Sequence, residues 1–464
     1  MMMTQRVVAM ILMLLLSVAV QPQNTKAQES AYRYAYVAWD DSAGTQLYTV
    51  DPANPVAFEP LGTFELANSD ERVYGYGPIS PDGKLFTVTV GAVGKQAFNP
   101  SASISVRTHS LSGDVQTVLS GVFETISLNS VLFGYPQFMK WSPDGRYLAI
   151  LARPNYLTPE GNLDDNTELY VYDTQSGSTR NITHDTGVQG QFTWSPDSQK
   201  LAYATLPCLT NCPYYLDVYD VASSTPLFSS LVDVNGKGIV GGRAETSLCL
   251  YAWSPDSSKL VFRVNCGSPG FPFHYQELHT FDLTTGVQAR LTHYTQPPYS
   301  ERDTSFYGAV QYPVWYDSDL ILVGGYQSLT MVSTESFDED GYIESYRLST
   351  NTQTLLSLDL DKYIREWAPG KQLGQYAVVE ENAGSNGFKN SFLETHLVQY
   401  ANDTLTVTHS LPTGCKFSWD PTKRYLSYWQ YADPRHCDGA TTNQVFFDVV
   451  TGNVTLLPQA AIDQ

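Results

Sequence analysis

The pattern Trp-Ser-Pro-Asp stands at Trp141–Asp144, Trp194–Asp197 and Trp253–Asp256, and each copy opens the same run: WSPDGRYLAI, WSPDSQKLAY and WSPDSSKLVF. A unit that recurs with an aromatic, a turn and then alternating apolar residues is one supersecondary module, and such modules bury their apolar faces only against copies of themselves. Looser copies extend the series at Ile79 (ISPDGKLFTV), Trp315 (VWYDSDLILV), Trp367 (EWAPGKQLGQYAVV) and Trp419 (WDPTKRYLSY). The spacing averages about 57 residues, far longer than a solenoid coil and close to a four-stranded propeller blade with loop insertions.

The rest of each period agrees. A second pair of alternating strands follows every strong copy, at 167–183, 215–228 and 276–292, joined by short Gly/Ser turns. Residues 34–55 match strands b, c and d of a blade without an opening strand a. The fold class is therefore all-β, a propeller of four-stranded antiparallel blades. Residues 28–464 hold about 7.7 mean periods, which predicts eight blades, with seven as the alternative. Because a closed ring removes exposed sheet edges, the first blade is expected to be completed by a terminal strand.

Within the motif, Ser-Pro-Asp-Gly is turn chemistry. Pro presets φ, the Asp side chain accepts from nearby amides, and Gly permits positive φ. Asp82, Asp144, Asp197 and Asp256 are accordingly read as scaffold and not as catalytic carboxylates, and the Trp as filler for the wedge between blades.

These runs, with LYVYD and RLTH-like segments, resemble the WSPDG repeat of TolB-type periplasmic proteins, and are similar to the propeller of prolyl oligopeptidase and dipeptidyl peptidase IV relatives. The resemblance covers nearly all of residues 28–464 and implies the fold more than an activity. It is confined to the propeller: no room for the small α/β domain of TolB lies before the first strand. The chain also lacks the G-x-S-x-G nucleophile elbow of the peptidases and is expected to carry no hydrolase domain and no triad.

Arg6 followed by the apolar run 7–20 reads as a secretory signal peptide over 1–27, too short for an ordinary membrane span, leaving one propeller domain at 28–464. This predicts a periplasmic or secreted protein. Six cysteines agree with an oxidising compartment, and their local spacing favours Cys208/Cys212, Cys249/Cys266 and Cys415/Cys437. With 47 Asp and Glu against 27 Lys and Arg, net −20, nucleic acid is not an expected partner.

Loop length points to the working face. The a–b and c–d turns, on one rim, are short; the b–c and d–a connections, on the other, are long at 152–166, 265–275, 293–311, 325–341 and 381–393. The stretch 293–316 gathers Tyr294, Tyr299, Phe306, Tyr307, Tyr312, Trp315 and Tyr316 beside Glu301, Arg302 and Asp303. Tyr299, Arg302, Phe306 and Tyr307 are the candidate ligand-binding residues, whereas Tyr312 and Trp315 are expected to pack inward.

The first expectation is a binding or scaffolding module for a protein, peptide or glycan in the envelope or extracellular space, with no cofactor. The alternative is a metal-dependent polysaccharide lyase or hydrolase. It rests on His184 and His293, which share one register after strand d in NITH and RLTH; lyases on similar propellers use histidines on that face. Asp338, Glu339 and Asp340, with Asp164 and Asp165, offer oxygen ligands for calcium, but neither group has the full spacing of a calcium loop.

Overall fold

A computed structural model describes residues 34–40, 44–51, 58–63, 71–92, 103–110, 113–125, 139–154, 167–183, 188–205, 215–231, 248–264, 277–291, 307–333, 336–358, 363–370, 372–420, 423–433, 437 and 441–458. These residues form strands and turns, with no helix among them.

Three strands come first: β1 (Tyr34–Asp40), β2 (Gly44–Val50) and β3 (Phe58–Thr63). Blade I follows as β4 (Glu71–Ile79), β5 (Leu85–Ala92), β6 (Ser103–Ser110) and β7 (Val115–Thr125). Blade II is β8 (Met139–Trp141), β9 (Tyr147–Pro154), β10 (Glu168–Asp173) and β11 (Ser178–Asn181). Blade III is β12 (Val188–Trp194), β13 (Lys200–Thr205), β14 (Tyr215–Asp220) and β15 (Thr225–Leu231). Blade IV is β16 (Leu248–Trp253), β17 (Lys259–Val264), β18 (Glu277–Asp282) and β19 (Val287–Arg290). Blade V is β20 (Tyr307–Trp315), β21 (Leu320–Ser333), β22 (Ser336–Arg347) and β23 (Thr352–Leu355).

Blade VI comprises a short β24 (Ser357–Leu358), β25 (Tyr363–Pro369), β26 (Gln375–Ala401) and β27 (Thr404–Leu411). The long β26 serves as both middle legs: its first residues pair with β25, its last with β27, and β24 adds parallel to β27. Blade VII is β28 (Cys415–Trp419), β29 (Tyr425–Tyr431), β30 (Thr441–Asp448) and β31 (Val454–Pro458).

The propeller therefore has seven four-stranded blades, which corrects the expectation of eight. The segment counted as an eighth blade gives a three-stranded sheet, β1–β2–β3, and no described strand completes it. The C-terminal β31 is already the outer strand of blade VII, so it cannot serve as the closing strand. Dividing the chain by a mean period misled because the residues beyond seven periods carry only the three strands β1–β3, which make a sheet of their own and not a four-stranded blade. Blades I and II are also stitched together, Phe123 and Thr125 of β7 pairing with Pro154 and Arg153 of β9.

The motif builds both the turn and the blade contact. In each strong copy the Ser hydroxyl donates to the Asp carboxylate two residues on, as from Ser254 to Asp256 at 2.6 Å, and accepts the amide five residues on, as from Lys259 at 2.9 Å. The Asp then accepts the amide of the residue two further along, Ser258 at 3.1 Å. In the WDPT copy Asp420 takes the place of the Ser and accepts from the Tyr425 amide.

Four of the motif Trp residues bond to the blade before them at 3.2 Å or closer. The indole N–H groups of Trp141, Trp194, Trp253 and Trp315 donate to the carbonyls of Pro78, Lys140, Thr193 and Ala252 at 3.0, 3.0, 3.2 and 3.2 Å. A buried ring thus contributes its apolar area and satisfies its only donor in one position. Between blades III and IV, Trp253 joins Ala202, Leu216, Val218, Leu260, Phe262 and Phe281 in one buried cluster, and equivalent clusters separate blades I and II, II and III, IV and V, V and VI, and VI and VII.

A second tie runs along the turns. The Asp144 amide donates to Ser198 Oγ at 3.0 Å, and the Asp197 amide to Ser257 Oγ at 3.1 Å, each bond crossing from one blade to the next. Ser198 and Ser257 hold φ near 62° and 59°, where blades I and II place Gly83 and Gly145.

Candidate binding rim

The two rims of the ring differ in kind. On one, the a–b turns at 80–84, 142–146, 195–199 and 254–258 and the c–d turns at 174–177, 221–224 and 283–286 are tight and bonded within themselves. Charges there are consumed locally: Arg146 pairs with Asp173 and Arg424 with Asp448, at 3.0 and 2.9 Å. Burial would raise the Asp256 carboxyl, but hydrogen bonds from Ser254, Ser258 and Ser318 outweigh it and hold the group far below the ordinary carboxylate range. The same balance of burial against Ser and Lys hydrogen bonds lowers Asp82 and Asp197. These carboxylates are turn residues, as their repetition implies.

The opposite rim receives the long connections. Between successive described strands lie 93–102, 126–138, 155–167, 206–214, 232–247, 265–276 and 291–306, all b–c or d–a links. The residues leading to the two histidines are pinned alike: the Ile182 amide donates to the Leu169 carbonyl, and the Leu291 amide to the Leu278 carbonyl. His184 and His293 themselves, with Tyr299, Arg302, Phe306, Asp164, Asp165, Cys208, Cys212 and Cys266, lie outside the described residues. Tyr307 opens β20, its backbone opposite Ser328. Trp315 is buried, as expected of it, and Tyr316 packs edge-on against Tyr400 at 4.9 Å.

Two of the expected long loops are strand instead. β21 and β22 continue as one hairpin around 334–335, with Asp338, Glu339 and Asp340 opposite Thr330, Ser328 and Gln327. The backbone of this acidic run is therefore strand and not loop. Residues 381–393 likewise lie inside β26. Cys249, in β16, stands opposite Arg263.

Cys415 and Cys437 form a disulfide, linking the first residue of β28 to the connection between β29 and β30 on this rim. Around it Cys415, Val379, Leu393 and Tyr431 make a buried cluster between blades VI and VII.

On the other face of β26, at the same rim, Glu380, Glu394 and His396 converge, their ligand atoms all within 4.8 Å of one another. His396 Nε2 is 3.3 Å from Glu380 Oε2 and 3.9 Å from Glu394 Oε2. Glu380 is fully buried and His396 nearly so, while the Glu394 side chain keeps 40% of its exposure. Sequence reading passed over this group because it treated 381–393 as a loop. The available signal was Glu394-Thr395-His396, an i, i+2 pair that shares one face once the segment is a strand.

No protein-family model matches the chain, and no curated protein matches it. Solved structures do. A eukaryotic initiation factor is similar at 14% identity, covering 92% of this chain and 85% of its own, with a TM-score of 0.47. The β-propeller domain of the Trilobed protease from Pyrococcus furiosus is 13% identical, covering 84% and 98%, with a TM-score of 0.44. TolB from Acinetobacter baumannii is 13% identical, covering 80% and 79%, with a TM-score of 0.35. At such identities the shared property is the propeller fold.

Proposed function

We propose that this propeller is an extracytoplasmic binding module that grips a protein, peptide or glycan through the rim of long connections. The carrying observation is the segregation of the connections. One rim is closed by short turns whose donors and acceptors are spent on each other, while the long segments run to the other. Rigid scaffolds place recognition on such loops. The Cys415–Cys437 disulfide supports a compartment outside the reducing cytoplasm. Tyr299, Arg302, Phe306 and Tyr307 are the contacts assigned to the partner, aromatic anchors beside a charge being the composition of binding hot spots.

The test uses residues 28–464 as immobilised bait against envelope and secreted extracts, beside two variants. Deleting 293–305 should abolish capture of the specific partner. Replacing the exposed Val115 and Val450 on the short-turn rim with Ser should leave it unchanged. Capture that survives the deletion and is lost in the short-turn variant would place the working face on the wrong side.

A further inference from the structure

We infer that Glu380, Glu394 and His396 form a binding site for a divalent transition-metal cation of the zinc or manganese type, embedded in blade VI where β26 reaches the long-connection rim. The ligand set is one imidazole and two carboxylates, a mixture these borderline cations accept and that catalytic or half-open zinc sites commonly use. Metal–ligand bonds of about 2.0–2.1 Å in tetrahedral geometry set neighbouring ligand atoms about 3.3 Å apart. The observed separations of 3.3 and 3.9 Å from His396 Nε2 to the two carboxylates are already close to that edge length.

The side chains come from rigid positions. Glu394 and His396 alternate along one leg of β26, and Glu380 belongs to the other leg; the Tyr400 amide donates to the Gly374 carbonyl, tying the legs together. The preceding residues Val379 and Leu393 point the other way, into the cluster around Cys415. The three ligands are therefore held by packing on the reverse face of the same strand pair, an arrangement that limits their rotamers.

A second observation concerns the histidine. His396 is about nine-tenths buried, and neither of its ring nitrogens makes a hydrogen bond among the described residues, although Nε2 is directed at both carboxylates. Two carboxyl side chains converge on the imidazole, and a divalent cation held among the three would give Nε2 a partner and supply positive charge where the glutamates meet. Because Glu394 is half-exposed, the fourth coordination position opens toward the rim and admits water or a donor atom from a bound partner.

The experiment titrates the chelator-stripped full chain with zinc chloride and with manganese chloride by calorimetry, and measures bound metal after gel filtration. One equivalent of one of these cations is expected, lost in His396→Gln and weakened at least tenfold in Glu394→Gln. Glu394→Gln alters a half-exposed group, so its fold should survive, which unchanged near-ultraviolet dichroism would verify. His184→Ala combined with His293→Ala should leave the stoichiometry intact. Failure to bind either cation below millimolar concentration overturns the assignment, as does full binding by both Gln variants. The readout is metal occupancy, so it stands or falls separately from capture of a partner by the rim.

Discussion

Ser257 offers a sharp test of how the blades are tied. Its backbone sits at φ 59°, a region that costs a non-Gly residue about 1 kcal/mol, yet its hydroxyl accepts the Asp197 amide of the preceding blade at 3.1 Å. Ser257→Ala keeps the strain and removes the acceptor. The expected loss is about 1.5 kcal/mol, a net hydrogen bond plus part of the desolvation left on a partly buried amide. Ser257→Gly loses the same bond but relieves the strain, partly offset by the greater freedom of Gly in the unfolded chain, so a loss of about 0.5 kcal/mol is expected. The usual ranking of Ala over Gly is thus inverted. Urea unfolding followed by tryptophan fluorescence, with the denaturant slope unchanged, measures both. If Ser257→Ala were as stable as the parent, the inter-blade bond would contribute nothing, and if it were more stable than Ser257→Gly, the backbone strain would contribute nothing; either result refutes the reasoning.

Other outcomes follow from the same geometry. Replacing Cys437 with Ser should cost about 3 kcal/mol, since the Cys415–Cys437 link closes a segment with a sequence separation of 22, and unfolding with and without reductant should differ by that amount in the parent alone. Gly374 holds φ 77°, and an added Cβ would meet the Tyr400 carbonyl at 2.6 Å and the Tyr316 ring at 2.9 Å; Gly374→Ala should cost about 2 kcal/mol or more in the same assay. Against the effect of burial, hydrogen bonds hold Asp82, Asp197 and Asp256 below the ordinary carboxylate range, so the stability they contribute is present above that range and is lost as pH falls through it. Stability measured from pH 5 to pH 2 should therefore fall steeply, and Asp256→Asn should flatten part of that slope.

The ring was readable because its signals are local. Ser-Pro-Asp specifies a turn by contacts within five residues, and the Trp before it occupies one place in the wedge, so copies at 141, 194 and 253 announce the blades. The weaker copy at Trp367 shows the limit: its indole makes no hydrogen bond to the preceding blade among the described residues and packs edge-on against Tyr376 instead. Counting failed at the N-terminus, because whether a fourth strand joins β1–β3 depends on a pairing distant in sequence. The Glu380, Glu394 and His396 group was hidden for a related reason. Its members come from two legs of a hairpin whose polar composition, EENAGSNGFKNS, reads as loop until the register is known. The Cys415–Cys437 pair, in contrast, needed only a short return of the chain.

The indole bonds also have a direction. Each runs from a later blade to a carbonyl in the blade already before it, Trp141 to Pro78, Trp194 to Lys140, Trp253 to Thr193 and Trp315 to Ala252. A carbonyl can wait in water for its partner at little cost, whereas a buried N–H without an acceptor is expensive. A chain synthesised from its N-terminus thus lays down acceptors first, and every arriving blade brings its own donor to a surface that is ready for it. Assembly in that order brings each of these four indoles to an acceptor already in place, so blades II to V each dock with their inner-strand bond made on arrival.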